Sequence, residues 1–108
     1  MVERVLFVCS GSIHRSPTAA NMFNECKGFE VRSAGTSIGA SNPVSAELVE
    51  WADKIFVMEE EHRQLIVQQF REAAPKITVL DIEDIYYRDD PRLTAILKKK
   101  LESYFNSQ

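Results

Sequence analysis

A chain of 108 residues, 44% hydrophobic and with a formal net charge of −3, is sized for one α/β domain (residues 1–108) with a modest core. The slightly acidic balance argues against a nucleic-acid partner, which would call for a basic face. No apolar stretch approaches the ~20 residues of a membrane span, and no basic segment leads into a long apolar one as a leader would. Two cysteines fit a reducing, cytoplasmic setting better than a disulfide framework.

Arg4 to Cys9 reads as a buried strand, because Val5-Leu6-Phe7-Val8 runs apolar straight into Cys9. Ser10-Gly11-Ser12-Ile13-His14-Arg15 then forms a loop. Ser16-Pro17 reads as a helix start, Ser as N-cap and Pro at the first helical position. That helix is expected from about Pro17 to Lys27, with Ala19, Met22, Phe23 and Cys26 on its apolar face and Gly28 as its stop. Phe29 to Arg32 alternates as a second, less buried strand. After the small residues of 33–41, a second helix is expected at Asn42-Pro43, burying Val44, Leu48 and Trp51.

Lys54 to Met58 is the third strand. Glu59-Glu60-Glu61 then places negative charge in the first turn of a helix with Leu65, Ile66 and Phe70 on its apolar side and His62 on its surface. Ile77 to Leu80 is the fourth strand, and residues 81–89 form an acidic, aromatic loop. Asp90-Pro91 opens a last helix carrying Leu93, Ile96, Leu97, Leu101 and Tyr104 on one face, with Lys98-Lys99-Lys100 as a solvated face.

Strands alternating with helices imply right-handed crossovers and a four-stranded parallel sheet with helices on both faces. Ligands of such sheets sit beyond the carboxyl ends of the strands. Cys9, Met58 and the loop from Asp81 all fall there. The loop after the first strand therefore meets a helix N-terminus, where converging N–H groups and the helix dipole favour an anion. Such a place also favours a cysteine thiolate. Arg15 supplies a planar fork for two phosphate oxygens. Thiolate, anion cradle and guanidinium in one loop describe a cysteine phosphatase.

Val8-Cys9-Ser10-Gly11-Ser12-Ile13-His14-Arg15-Ser16-Pro17 resembles the signature of the low-molecular-weight protein tyrosine phosphatases. Ser33-Ala34-Gly35-Thr36, Ala52 to Met58 and Asp84-Ile85-Tyr86-Tyr87 resemble further blocks of that family, in the same order. The last is similar to its Asp-Pro-Tyr-Tyr acid loop. The chain is shorter than the usual member, chiefly between Thr36 and Asp53, and looks most like a small predicted-phosphatase branch. Ser12 stands where members carry Asn, His14 where many carry a second Cys, and Ile85 where they carry Pro. A disulfide between the two loop cysteines of those relatives is therefore not open to this chain.

The resemblance implies a phosphocysteine mechanism on phosphotyrosine. Ser10, Gly11, Ser12, Ile13, His14, Arg15 and Ser16 would bind the phosphate, and Cys9 would attack phosphorus. The Ser16 hydroxyl would steady the sulfur as a leaving group. Asp84 would be the general acid, with Asp81 as the alternative, while Tyr86 and Tyr87 would wall the substrate pocket. No metal or cofactor is expected, because Arg15 and the amides meet the anion's charge. The substrate partner is a phosphorylated protein or a small phosphate ester. Two other functions fit the same loop: an arsenate reductase, for which Cys26 is the one further thiol, and a phosphate-binding module without catalysis.

Overall fold

The computed structural model describes residues 2–106. Four strands form one parallel sheet: β1 (Glu3–Cys9), β2 (Phe29–Gly35), β3 (Lys54–Val57) and β4 (Ile77–Val79), in the order β2-β1-β3-β4. The helices are α1 (Arg15–Phe23), α2 (Ala46–Trp51), α3 (Glu60–Gln69) and α4 (Pro91–Asn106), with a 3₁₀ segment at Arg71–Lys76. The expected α/β architecture, sheeted in parallel and covered on both faces, is the one observed.

The pleat of β1 divides the core. Val5, Phe7 and Cys9 face one side with Ala19 and Phe23 of α1 and Leu93, Leu97, Leu101 and Phe105 of α4. Leu6 and Val8 face the other, with Val49 of α2 and Ile66 of α3. A strand buried on both faces has no polar alternation, which is why residues 5–8 read as a continuous apolar run. On the first side Phe7, Phe23, Phe29, Phe56, Tyr104 and Phe105 pack ring on ring, Phe23 and Phe105 stacked at 4.2 Å. Among the described residues no helix is long and apolar enough to cross a membrane.

Several boundaries differ from the sequence reading. Strand β2 runs three residues further, to Gly35, because its register brings Gly35 opposite Cys9. Helix α2 begins not at Pro43 but after Ser45, whose Oγ accepts from Leu48 N at 3.2 Å. Pro43 instead bridges to Gly35. Helix α1 starts at Arg15, so Ser16 lies inside it rather than capping it. The helix stops at Phe23, four residues early, and Cys26 lies in the turn beyond it, half-buried. Leu65, expected inside, is exposed, whereas Ile66 is buried.

Candidate active site

The loop between β1 and α1 is built so that its carbonyls point away from its own centre. Cys9 O accepts from Thr36 N, Ser10 O from Ser37 N, and Gly11 O from Ser41 N, all at 2.9–3.0 Å. Ser12 O accepts from Ser41 Oγ at 2.9 Å. Among the described residues no protein acceptor takes the N–H groups of Gly11, Ser12, Ile13 or His14. A loop that commits its oxygens outward and leaves its amides free is an anion cradle. Ser12 takes the left-handed conformation, φ 57°, which Asn accepts more readily than Ser. Its Oγ lies 3.4 Å from Ser33 Oγ.

Gly35 is what lets the loop lie against β2. A Cβ there would sit 2.4 Å from Ser10 O and 2.9 Å from Ser12 N, both backbone atoms. The Ser33-Ala34-Gly35-Thr36 block thus belongs to the site as its supporting wall.

Cys9 is buried, with Sγ 3.1 Å from Ser16 Oγ. Ser16 Oγ also donates to Ala34 O at 3.3 Å. The hydroxyl expected as a helix cap is spent on the cysteine sulfur and the sheet; His14 holds the N-cap position, without a side-chain cap bond.

Arg15 is 1% exposed, extreme for an arginine. Its Nη1 donates to Glu59 Oε1 at 2.6 Å and to Ile82 O at 2.7 Å. With Nη1 so anchored, the side-on edge of Nε and Nη2 is left for an anion. Nε lies 3.6 Å from Asp84 Oδ1. Cys9, Ser10, Gly11, Ile13, His14, Arg15 and Asp84 together line one cavity of about 190 Å³. Asp81, the alternative acid, lines a different cavity with Tyr86, Ile96 and Lys99.

Beyond this cavity a second, of about 390 Å³, is lined by His14, Asp84, Ile85, Tyr86 and Tyr87. His14 stands edge-on to Tyr87, ring centroids 5.6 Å apart, and its Nδ1 accepts from Arg88 N at 3.2 Å. The two tyrosines separate here. Tyr87 is exposed at the mouth, while Tyr86 packs against the core with the Arg92 guanidinium over its ring.

Two residues of the site escaped the sequence reading. Glu59 read only as first-turn charge, and His62 as a surface residue. Glu59 is the N-cap of α3 and His62 its third residue, each side chain bonding the other's backbone. His62 is 0% exposed and reaches Ser10 Oγ with Nε2 at 3.0 Å. Burial, and then the Arg15 charge, push its pKa below the ordinary 6.5, outweighing Glu59, Glu61 and Asp84. The legible signal was the spacing Glu59-x-x-His62, a capping box directly after a strand's carboxyl end.

Cys26 sits at the other end of the sheet from Cys9. Phe29 N donates to Cys26 O, and Phe29 pairs with Glu3, whereas Cys9 closes β1 opposite Gly35. Six strand residues, roughly 20 Å, separate those rows. That is far beyond the ~7 Å limit between Cα atoms joined by a disulfide.

Residues 4–43 match the family model of low molecular weight phosphotyrosine protein phosphatases. A protein-arginine-phosphatase of Geobacillus stearothermophilus is 32% identical, over 74% of this chain and 70% of that protein. The YwlE arginine phosphatase structure from the same organism superposes with a TM-score of 0.77 at 25% identity, covering 97% and 92% of the two chains. The tyrosine phosphatase Wzb from Escherichia coli K30, solved with phosphate, superposes with a TM-score of 0.83 at 20% identity, covering 99% of each. The chain belongs to the low molecular weight phosphotyrosine protein phosphatase family, and its class is that of a phosphatase.

Proposed function

We propose that residues 1–108 act as one cysteine-dependent phosphomonoester hydrolase whose substrate is phosphotyrosine in proteins. The observation that carries the reading is the convergence of Cys9, the free loop amides, the side-on edge of Arg15 and Asp84 on one small cavity. Phosphate held by the amides of residues 10–15 and by Arg15 presents phosphorus to the Cys9 sulfur. The S–P bond forms as the bond to the leaving oxygen breaks, and Asp84 gives that oxygen its proton. Ser16 Oγ, beside Sγ, stabilises the sulfur's charge by turning its one hydrogen from Ala34 O to the thiolate. Water, deprotonated by Asp84, then breaks the S–P bond and releases inorganic phosphate. Fixed amides and a buried, anchored guanidinium stabilise the transferring group without reorganisation.

The mouth favours an aromatic ester. Ile13, Ile85 and Tyr87 are exposed around it, Ile13 at 52%, and offer contact area for a flat ring. A phosphoarginine substrate is the second reading, favoured by the Geobacillus relative's activity and by the Asp84 carboxylate at the same mouth. The arsenate-reductase reading lacks a second thiol within reach of Cys9, and a pure binding module has no use for the Ser16–Cys9 contact. The test is hydrolysis, with chelator present, of phosphotyrosine peptides, phosphoarginine peptides and small phosphate esters. A kcat/KM at least tenfold higher on phosphotyrosine than on phosphoarginine supports the proposal; the reverse order replaces it with the second reading.

A further inference from the structure

The mechanism above uses the backbone of Ser10 and gives its hydroxyl no part. Nor does it use the imidazole of His62, which is 0% exposed beside a cavity shaped for an anion. Both ring nitrogens of His62 are committed in a way that fixes the proton. Nδ1 lies 3.0 Å from Glu59 N, and a backbone N–H can only donate, so Nδ1 is the acceptor. The neutral ring then carries its hydrogen on Nε2 and donates it to Ser10 Oγ at 3.0 Å. A serine hydroxyl has one hydrogen and two lone pairs. With a lone pair taken by His62, the hydrogen is left for another acceptor, and Ser10 lines the cavity with Cys9 and Arg15.

We propose that His62 is a positioning residue that aims the Ser10 hydroxyl as a side-chain donor at a phosphoryl oxygen held in the loop. The proposal rests on the phosphatase reading in one respect: the anion occupies the Cys9 cavity. A hydroxyl oriented beforehand adds a donor to the backbone amides at no ordering cost on binding. The surroundings favour the neutral ring. A second ring hydrogen on Nδ1 would point at the Glu59 N–H, and burial and then the Arg15 charge oppose it, against the weaker pull of Glu59, Glu61 and Asp84.

The experiment titrates inorganic phosphate calorimetrically into the wild type, Ser10→Ala, His62→Gln, His62→Phe and the Ser10→Ala/His62→Phe double variant. Hydrolysis of one phosphate ester is measured alongside. Losing one hydrogen bond to a charged group is expected to weaken phosphate binding about tenfold in Ser10→Ala and in His62→Phe. His62→Phe should add less than twofold in the Ser10→Ala background, because the two act through one hydroxyl. His62→Gln, whose amide N–H reaches the same place, should retain most of the affinity. Wild-type phosphate affinity in Ser10→Ala overturns the proposal, and so do losses that simply multiply in the double variant. Where His62→Phe fails to fold, Ser10→Ala and His62→Gln decide the matter. A wild type that binds phosphate but hydrolyses no ester defeats the phosphatase reading instead, and leaves the binding comparison standing.

Discussion

The two loops that meet at the cavity are held in opposite ways. The nucleophile loop, residues 9–16, is strapped on every side: its carbonyls are bound by residues 36, 37 and 41, Ser16 by the sheet, and Arg15 by Glu59 and Ile82. The acid loop, residues 81–89, is mostly exposed and opens and closes on residues in the left-handed conformation, Asp81 at φ 62° and Asp89 at φ 60°. At its root Ile82 is tied to Met58 O and Arg15 Nη1, and beyond it three polar pins hold the loop to the rest: Asp84 near Arg15, Arg88 N on His14 Nδ1, and Asp89 N on Thr18 Oγ1. The difference fits the roles proposed for the two loops. An anion cradle works by preorganised donors that do not move. A proton donor must reach a leaving group that arrives with the substrate, and loops with few buried contacts are the ones that adjust.

The sharpest break of this comparison removes the sulfur while sparing the cradle. Cys9→Ser is expected to abolish ester hydrolysis and to leave phosphate or vanadate binding measurable by calorimetry; turnover near wild type with chelator present would overturn the mechanism. The next removes the acid. Asp84→Asn is expected to slow phosphotyrosine hydrolysis by roughly 10²–10⁴, and the loss should shrink for an ester with a strongly acidic phenol, which leaves without a proton. Asp81→Asn should show neither effect, since Asp81 lines another cavity. The opposite pattern would shift the acid three residues towards β4.

A smaller effect is expected from the cradle's wall. Gly35→Ala places a methyl 2.4 Å from Ser10 O, which no side-chain rotation relieves. A loss of about 1–3 kcal/mol in urea unfolding is expected, together with weaker phosphate binding; wild-type values for both would show the cradle less rigid than described. The smallest effect is in pH. His62 has a folded-state pKa below its ordinary 6.5, so between the two values the unfolded chain binds more protons and stability rises with pH. The stability His62 contributes is complete above pH ~6.5 and is lost as pH falls through the folded value. Wild type should therefore lose more stability than His62→Gln between about pH 7 and pH 5; parallel curves would remove His62 as the cause.

The nucleophile loop was legible because its chemistry is local. Cys9, Arg15 and the amides between them lie within seven consecutive residues, and a buried strand running into a helix start fixes where such a segment must lie. The acid loop was legible only by resemblance, since Asp81 and Asp84 differ in which cavity they line and not in their local pattern. Ser16 was half legible for a related reason. The resemblance implied its contact with the Cys9 sulfur, but Ser-Pro at a helix start is also a capping signal, and the packing of α1 on the sheet shows the hydroxyl turned to Cys9 and Ala34 with no capping role.

The sequence by itself determined the alternation of strands and helices, the two-faced burial of β1 and the place of the anion loop. These follow from periodicity and neighbouring residues. Tertiary structure alone decided the partners of Arg15 and Ser10. Glu59 and His62 are 44 and 52 residues away from them in the chain, and they arrive because β1 and β3 are neighbours in the sheet, with α3 leaving the carboxyl end of β3 beside the loop. A polar residue on a helix of unknown orientation reads as exposed. His62 is buried because the sheet order turns that face of the helix inward, onto a loop whose donors and acceptors satisfy it.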